Sequence, residues 1–286
     1  MFQNNKKNLL KLLAEVPAEF KSFKSLLPGL KIYTAIVKNN EIEVEGHSES
    51  YKKSSGLIRS YFEALERLAL FKPSDLRSSN GVGAGATLDF AKKSAIQELI
   101  ERHLLLTAWE SKNSWVSHEL KSLWVKINVS YLRKLGWRLK FYRILTDSGV
   151  MLCGLSQHVQ EGSVFDCVFS LETQKISFLE RKLLFSITRM LSIPMKAISD
   201  LSEASRLIDH MRYYRNPQRN SVFDFIKNSE KKVISVKTLV PNIECKLLNK
   251  HLSLAYVVHA KSAQMLEFKW GLKSLGSNNC FPHPLG

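Results

Sequence analysis

The 286-residue chain is poor in acidic side chains, in cysteine and in long apolar runs. It has no stretch of about 18 apolar residues, which excludes a membrane-spanning helix. The opening MFQNNKKNLLKLLAEVPAEFKSF interrupts its apolar stretch with Lys11 and Glu15 and makes a poor secretory signal. A cytoplasmic chain with no membrane partner is therefore the expectation. Cys153, Cys167, Cys245 and Cys280 are far apart, without the paired spacing of a zinc site or redox dithiol, and read as reduced thiols. With no Ser- or Pro-rich linker, one domain over 1–286 is expected.

Only 26 Asp and Glu stand against 42 Lys and Arg, leaving a net charge of +16. That excess suits an anionic partner: nucleic acid, a nucleotide, or an acidic peptide or protein. The basic residues are spread along the chain rather than gathered in a stripe. No recognition motif accompanies Trp109, Trp115 and Trp124. Nucleic acid is accordingly disfavoured, and a basic module for RNA or acidic peptide stays as an alternative.

Hydrophobic spacing predicts an amphipathic helix over 7–24, then a hairpin of KIYTAIV and EIEVE turning at Lys38-Asn39-Asn40. Residues 57–71 read as a helix with Leu57, Tyr61, Leu65 and Leu68 on one stripe. A glycine-bearing loop follows, and a long helix from near Asp89 to about Glu110. WRLKFYRIL and VMLCGLSQHV flank a second turn at Thr146–Gly149, with SVFDCVFSL a further strand. FLERKLLFSITRML is a helix stopped by Pro194, SEASRLIDHMRYYR another, and VFDFI a short one. KKVISVKTLV and LSLAYVVHA read as late strands, and residues 280–286 as an extended tail. The class is α+β, with mixed helices and antiparallel sheets.

The most informative pattern is internal. Glu63-Ala64-Leu65-Glu66-Arg67 in one helix and Glu98-Leu99-Ile100-Glu101-Arg102 in the next both read E-x-x-E-R. Helical spacing puts two carboxylates and a guanidinium on one face of each. A single such motif is most simply a solvated Glu–Arg pair. Two copies wrapped in leucine and isoleucine imply partly buried carboxylates, which need a compensating cation. Carboxylates from two helices can hold a hard cation such as Mg²⁺, which also bridges phosphates, and arginine grips phosphate bidentately. The Ser79–Gly85 loop before the second helix adds backbone N–H groups that favour anions. It is neither a P-loop nor a dinucleotide fingerprint.

SSNGVGAGATLDFAKKSAIQELIERHLLLTAW resembles the S-N-G…E-x-x-E-R segment of the YcaO family, with Ser94-x-x-x-Glu98-x-x-Glu101-Arg102 matching its nucleotide motif. SSGLIRSYFEALERL is similar to the companion motif, HMRYYRNPQRNSVFDFI to the Y-x-x-P segment, and the closing FPHPLG to the Pro-rich carboxyl terminus. The resemblance runs from about residue 40 to the end, leaving 1–40 as a variable amino-terminal part and 280–286 as the Pro-rich tail. It implies a YcaO-like α+β fold with an ATP/Mg²⁺ site between helices, and ATP-dependent phosphorylation of a peptide backbone amide. In the azoline-forming branch, a Cys, Ser or Thr of a ribosomally made precursor peptide is cyclodehydrated to thiazoline or oxazoline. Thioamide- and amidine-forming branches, and a catalytically degenerate scaffold, are alternatives.

By this resemblance Glu63, Glu66, Glu98 and Glu101 hold Mg²⁺. Ser94, Arg67, Arg102 and Lys52 meet phosphate or brace the carboxylates. Pro282, His283, Pro284 and the Gly286 carboxylate handle protons. The partners implied are the precursor peptide and a separate leader-peptide-binding protein, and family members often form homodimers. The sequence departs from the family pattern at Arg59, Ala86, Phe90 and Arg189.

Overall fold

A computed structural model describes residues 11–39, 42–70, 80–112, 114–147, 149–171, 175–198, 207–227, 242–248 and 255–266. The chain divides into two compact units, one of 1–100 with 240–265 and one of 101–239 with 266–286.

In the first unit, β1 (Ala18–Lys24), β2 (Lys31–Asn39) and β3 (Ile42–Ser50) form an antiparallel sheet in the order β1-β2-β3. The helix α1 (Lys53–Leu70) lies on it. Gly46 of β3 permits this approach, because a Cβ there would stand 2.1 Å from the Ser60 carbonyl oxygen and 2.2 Å from the Ala64 nitrogen. The predicted opening helix is helical only at 11–15 among the described residues. Pro17 ends the helical stretch, and Ala18–Lys24 pairs along its whole length with β2. A second sheet, β4-β10-β9, joins β4 (Val82–Gly85), β9 (Glu244–Leu247) and β10 (Tyr256–Lys261). Tyr61, Leu65 and Leu68 of α1 share one buried cluster with Ala35, Val37 and Val44 of the first sheet and Val82, Ala84 and Val257 of the second.

The glycine-bearing segment is thus a strand where the sequence reads as a loop. Its short side chains let α2 (Leu88–Ser111) come close: a Cβ on Gly83 would lie 2.4 Å from the Ala95 nitrogen. Gly81 carries a φ of +72°, a conformation that glycine adopts freely. The helix is opened by Thr87, whose Oγ1 accepts the Phe90 N–H at 3.3 Å, with Asp89 inside the first turn.

In the second unit, β5 (Trp115–Ser117), β6 (Arg138–Ile144), β7 (Val150–His158) and β8 (Gly162–Ser170) form an antiparallel sheet in sequence order. The helices are α3 (Leu123–Lys134), α4 (Ile176–Ser192), α5 (Leu207–Tyr214) and α6 (Asp224–Lys227), the last preceded by a 3-10 turn over Pro217–Phe223. Trp109, Trp115, Phe165, Phe223 and Phe225 form a connected set of ring contacts, with Trp115 and Phe165 6.0 Å apart in edge geometry. The helix α4 stops at Ser192, ahead of Pro194, and KKVISVKTLV lies outside the described residues. No helix among the described residues is long and apolar enough to cross a membrane.

Candidate active site

The four motif glutamates each take a backbone N–H from a strand at the edge of a sheet. Sheets expose one row of unpaired amides along each outer strand, and a carboxylate is a strong acceptor for them. Glu63 accepts the His47 N–H of β3 at 3.0 Å. Glu66 accepts the Ala84 N–H of β4 at 2.6 Å, and Glu98 the Val82 N–H of the same strand at 3.0 Å. Glu101, in the second unit, accepts the Phe169 N–H of β8 at 2.8 Å. Residues 82 and 84 are two apart, so both amides point to the side of β4 away from β10.

Two helices therefore bring one carboxylate each to a single strand edge. Burial above all, with the Glu98 carboxylate beside it, pushes Glu66 up to about 8, against the relief that the Ala84 N–H gives. Burial likewise raises Glu101. Arg102 and Lys182 counter that rise, and Asp166 adds to it. Arg67 is occupied: it donates to Glu63 at 2.7 Å and to the Glu45 carbonyl at 2.6 Å. Ser94 sits against β4 at Gly83, while Lys52 is exposed with its N–H on Ser50 Oγ at 3.0 Å. Pro282, His283, Pro284 and Gly286 lie outside the described residues.

Among the departures, Arg59 is exposed and donates to the carbonyls of Ser55 and Glu49. Ala86 and Phe90 are exposed next to the start of α2, and Arg189 donates to Ser186 Oγ at 3.3 Å.

Two supporting residues escape a motif reading. His259 Nε2 pairs with the Asn80 carbonyl at 3.1 Å, fixing the entry to β4; burial first, then Lys261, lowers its pKa to about 4, so the ring is neutral and donates. Glu180 is fully buried and accepts the N–H groups of Lys121 and Ser122 and pairs with His118 Nε2 at 2.8 Å. The available sequence signal is Glu180 at helical spacing with Leu183, Leu184 and Ile187, but FLERKLLF looks like an ordinary amphipathic helix.

Whether these residues suit a divalent cation turns on the donor set. Oxygen donors from two partly buried glutamates, one with its pKa raised by burial and then by its neighbour, are what a hard cation replaces a proton on. The residues fit Mg²⁺ in that sense. Among the described residues no three His, Cys, Asp or Glu side chains converge tightly enough to hold a metal ion by themselves.

Residues 66–169 match the family model described as YcaO cyclodehydratase, ATP- and Mg²⁺-binding, a span that includes Glu66, Glu98 and Glu101. The YcaO protein of Methanopyrus kandleri, bound with AMPPCP and Mg²⁺, superposes with a TM-score of 0.66 at 11% identity, covering 94% of this chain and 93% of that one. The chain thus resembles the YcaO family over that segment and in its fold. A heterocyclase in complex with substrate and cofactor gives a TM-score of 0.62 at 13% identity, covering 94% of this chain and 53% of the heterocyclase. The Escherichia coli microcin synthetase McbBCD complex with bound pro-MccB17 contributes a chain at 0.59 and 12% identity, over 88% of this chain and 89% of that one. At these identities the likeness is one of fold, and it bears out the α+β, mixed-helix and antiparallel-sheet class. A comparison with curated protein sequences gives no match.

Proposed function

We propose that this protein is a YcaO-type, ATP- and Mg²⁺-dependent cyclodehydratase acting on Cys, Ser or Thr of a ribosomally made precursor peptide. The observation that carries the reading is the Glu66–Glu98 pair on the edge of β4, within the segment that matches the family model.

Glu63, Glu66, Glu98 and Glu101 are the assigned Mg²⁺ ligands. Held by them, the cation would supply positive charge against that developing in phosphoryl transfer. Ser94, Arg102, Arg67 and Lys52 are assigned to phosphate or to bracing the carboxylates, as the YcaO resemblance implies. The Glu63–Arg67 bridge and the β4 amides hold the carboxylates in place before substrate arrives, so little reorganisation is left to the reaction.

The bond changes balance on the peptide and ATP alone. A side-chain thiol or hydroxyl gives up its proton to a base as its sulfur or oxygen bonds to the preceding carbonyl carbon, and the former carbonyl oxygen takes the γ-phosphoryl group, releasing ADP. Phosphate then leaves with the C–O bond as the amide nitrogen loses its proton and the C=N bond forms. Pro282, His283, Pro284 and the Gly286 carboxylate are assigned to these proton movements. The precursor is presented by a separate leader-peptide-binding protein, in line with the assembly of the microcin synthetase relatives.

The scaffold reading retains one supporting observation, the absence of a three-donor cluster among the described residues. Incubation with precursor, partner, ATP and Mg²⁺, read by mass spectrometry, separates the two. Loss of one water per ring with matching phosphate release is expected. An unaltered peptide mass, with the partner still bound, supports the scaffold instead.

A further inference from the structure

The helix α3 presents apolar side chains to solvent at a regular spacing. Leu123 is 71% exposed, Ile127 60%, Tyr131 37% and, just past its end, Leu135 42%. Positions four apart drift only about 40° around a helix, so these form a ridge roughly 18 Å long. The ridge cannot roll inward. Val125 and Leu132 are fully buried on the opposite face, and Trp124 meets the Phe185 ring of α4 edge-on at 5.6 Å. Glu180 grips the Lys121 and Ser122 N–H groups, and Ser122 Oγ accepts the Val125 N–H at the first turn.

The charges carried by the helix itself are of one sign. The helix has no acidic residue, while Lys126, Arg133 and Lys134 are exposed along it and Lys121 just before it. The nearest acidic side chain in sequence, Glu119, lies 3.7 Å from Lys121. At the β7–β8 turn the His158 ring is 5.0 Å from Trp137, and its neighbour Val159 is 75% exposed.

We propose that α3 is a peripheral docking element for an anionic lipid surface. A convex row of Leu, Ile and Tyr, flanked by lysine and arginine, matches the interface of a bilayer, where acyl chains take the ridge and headgroups take the cations. A second copy of this chain is a poor occupant, since it would set one basic face against another in a protein of net charge +16.

The test is co-sedimentation of the full chain with phosphatidylcholine vesicles, with and without phosphatidylglycerol. Binding should need the anionic lipid and weaken with salt. It should fall about tenfold in Leu123→Ala/Ile127→Ala, which keeps every charge, and by at least as much in Lys126→Gln/Arg133→Gln/Lys134→Gln. Phe23→Glu, on exposed β1, is the control and should bind as the wild type does, with circular dichroism confirming that every variant is folded. Absence of vesicle binding overturns the proposal. So does binding indifferent to the alanine pair, which would be charge attraction without insertion. Self-association, or binding to an acidic protein partner, that is lost in the alanine pair while vesicles are ignored would reassign the face.

Discussion

Glu66 and Glu98 reach neighbouring amides of the same strand from two different helices. Glu66 holds Ala84, and Glu98 holds Val82, on the side of β4 that no strand covers among the described residues. One motif thus does two things: it closes a sheet edge and sets two carboxylates side by side. Burial first, and then the Glu98 charge beside it, raises the pKa of Glu66, a cost that a cation would relieve.

The closeness of β4 and α2 depends on Gly83. Replacing it with Ala puts a Cβ against the backbone of Ala91 and Ala95. Gly83→Ala should cost about 2–4 kcal/mol in urea denaturation, and should weaken Mg²⁺-dependent nucleotide binding because Glu98 leaves its strand. A variant as stable as the wild type would show that the helix tolerates displacement.

Glu180 braces the start of α3 from α4. Glu180→Ala leaves two buried N–H groups and the His118 ring without their acceptor, so the expected loss is roughly 3–5 kcal/mol, readable as a shifted denaturation midpoint.

His259 supplies an acid-side dependence. Its folded pKa of about 4 lies below the ordinary 6.5, so the unfolded chain takes up the proton first as pH falls. The stability contribution is complete above pH 6.5 and is lost towards pH 4, on the order of 3 kcal/mol in all. His259→Gln should flatten the melting temperature over that window.

Glu66 acts in the opposite direction. With its folded pKa raised from 4.5 to about 8, the cation-free protein binds the extra proton, and its stability falls as pH rises through that interval. Mg²⁺ should restore the loss at pH 8, and Glu66→Gln should remove both the slope and the magnesium effect in thermal melts.

Much of this was legible in the sequence. The i,i+3 spacing of Glu63/Glu66 and Glu98/Glu101 fixes which helix face carries them, and periodicity located both helices and the β6–β8 strands. What the carboxylates touch was hidden, because Val82-Gly83-Ala84-Gly85 has no alternation to mark a strand; its pairing with β10 comes from residues more than 170 positions away. The helix α3 went unread for a similar reason. LWVKINVSYLRK mixes β-branched residues and Asn, weak helix formers, and places leucine and isoleucine on its outer face. At the amino terminus the lysine and leucine spacing pointed to one helix, but Pro17 and pairing with β2 make Ala18–Lys24 a strand.

The central claim is that the two E-x-x-E helices bind a magnesium nucleotide. Calorimetric titration of the purified chain with ATP, with and without Mg²⁺, tests it directly when repeated on Glu66→Gln/Glu98→Gln and on Glu98→Gln/Glu101→Gln. The account predicts magnesium-dependent binding in the wild type and none in either folded variant. Binding that survives both substitutions would contradict it.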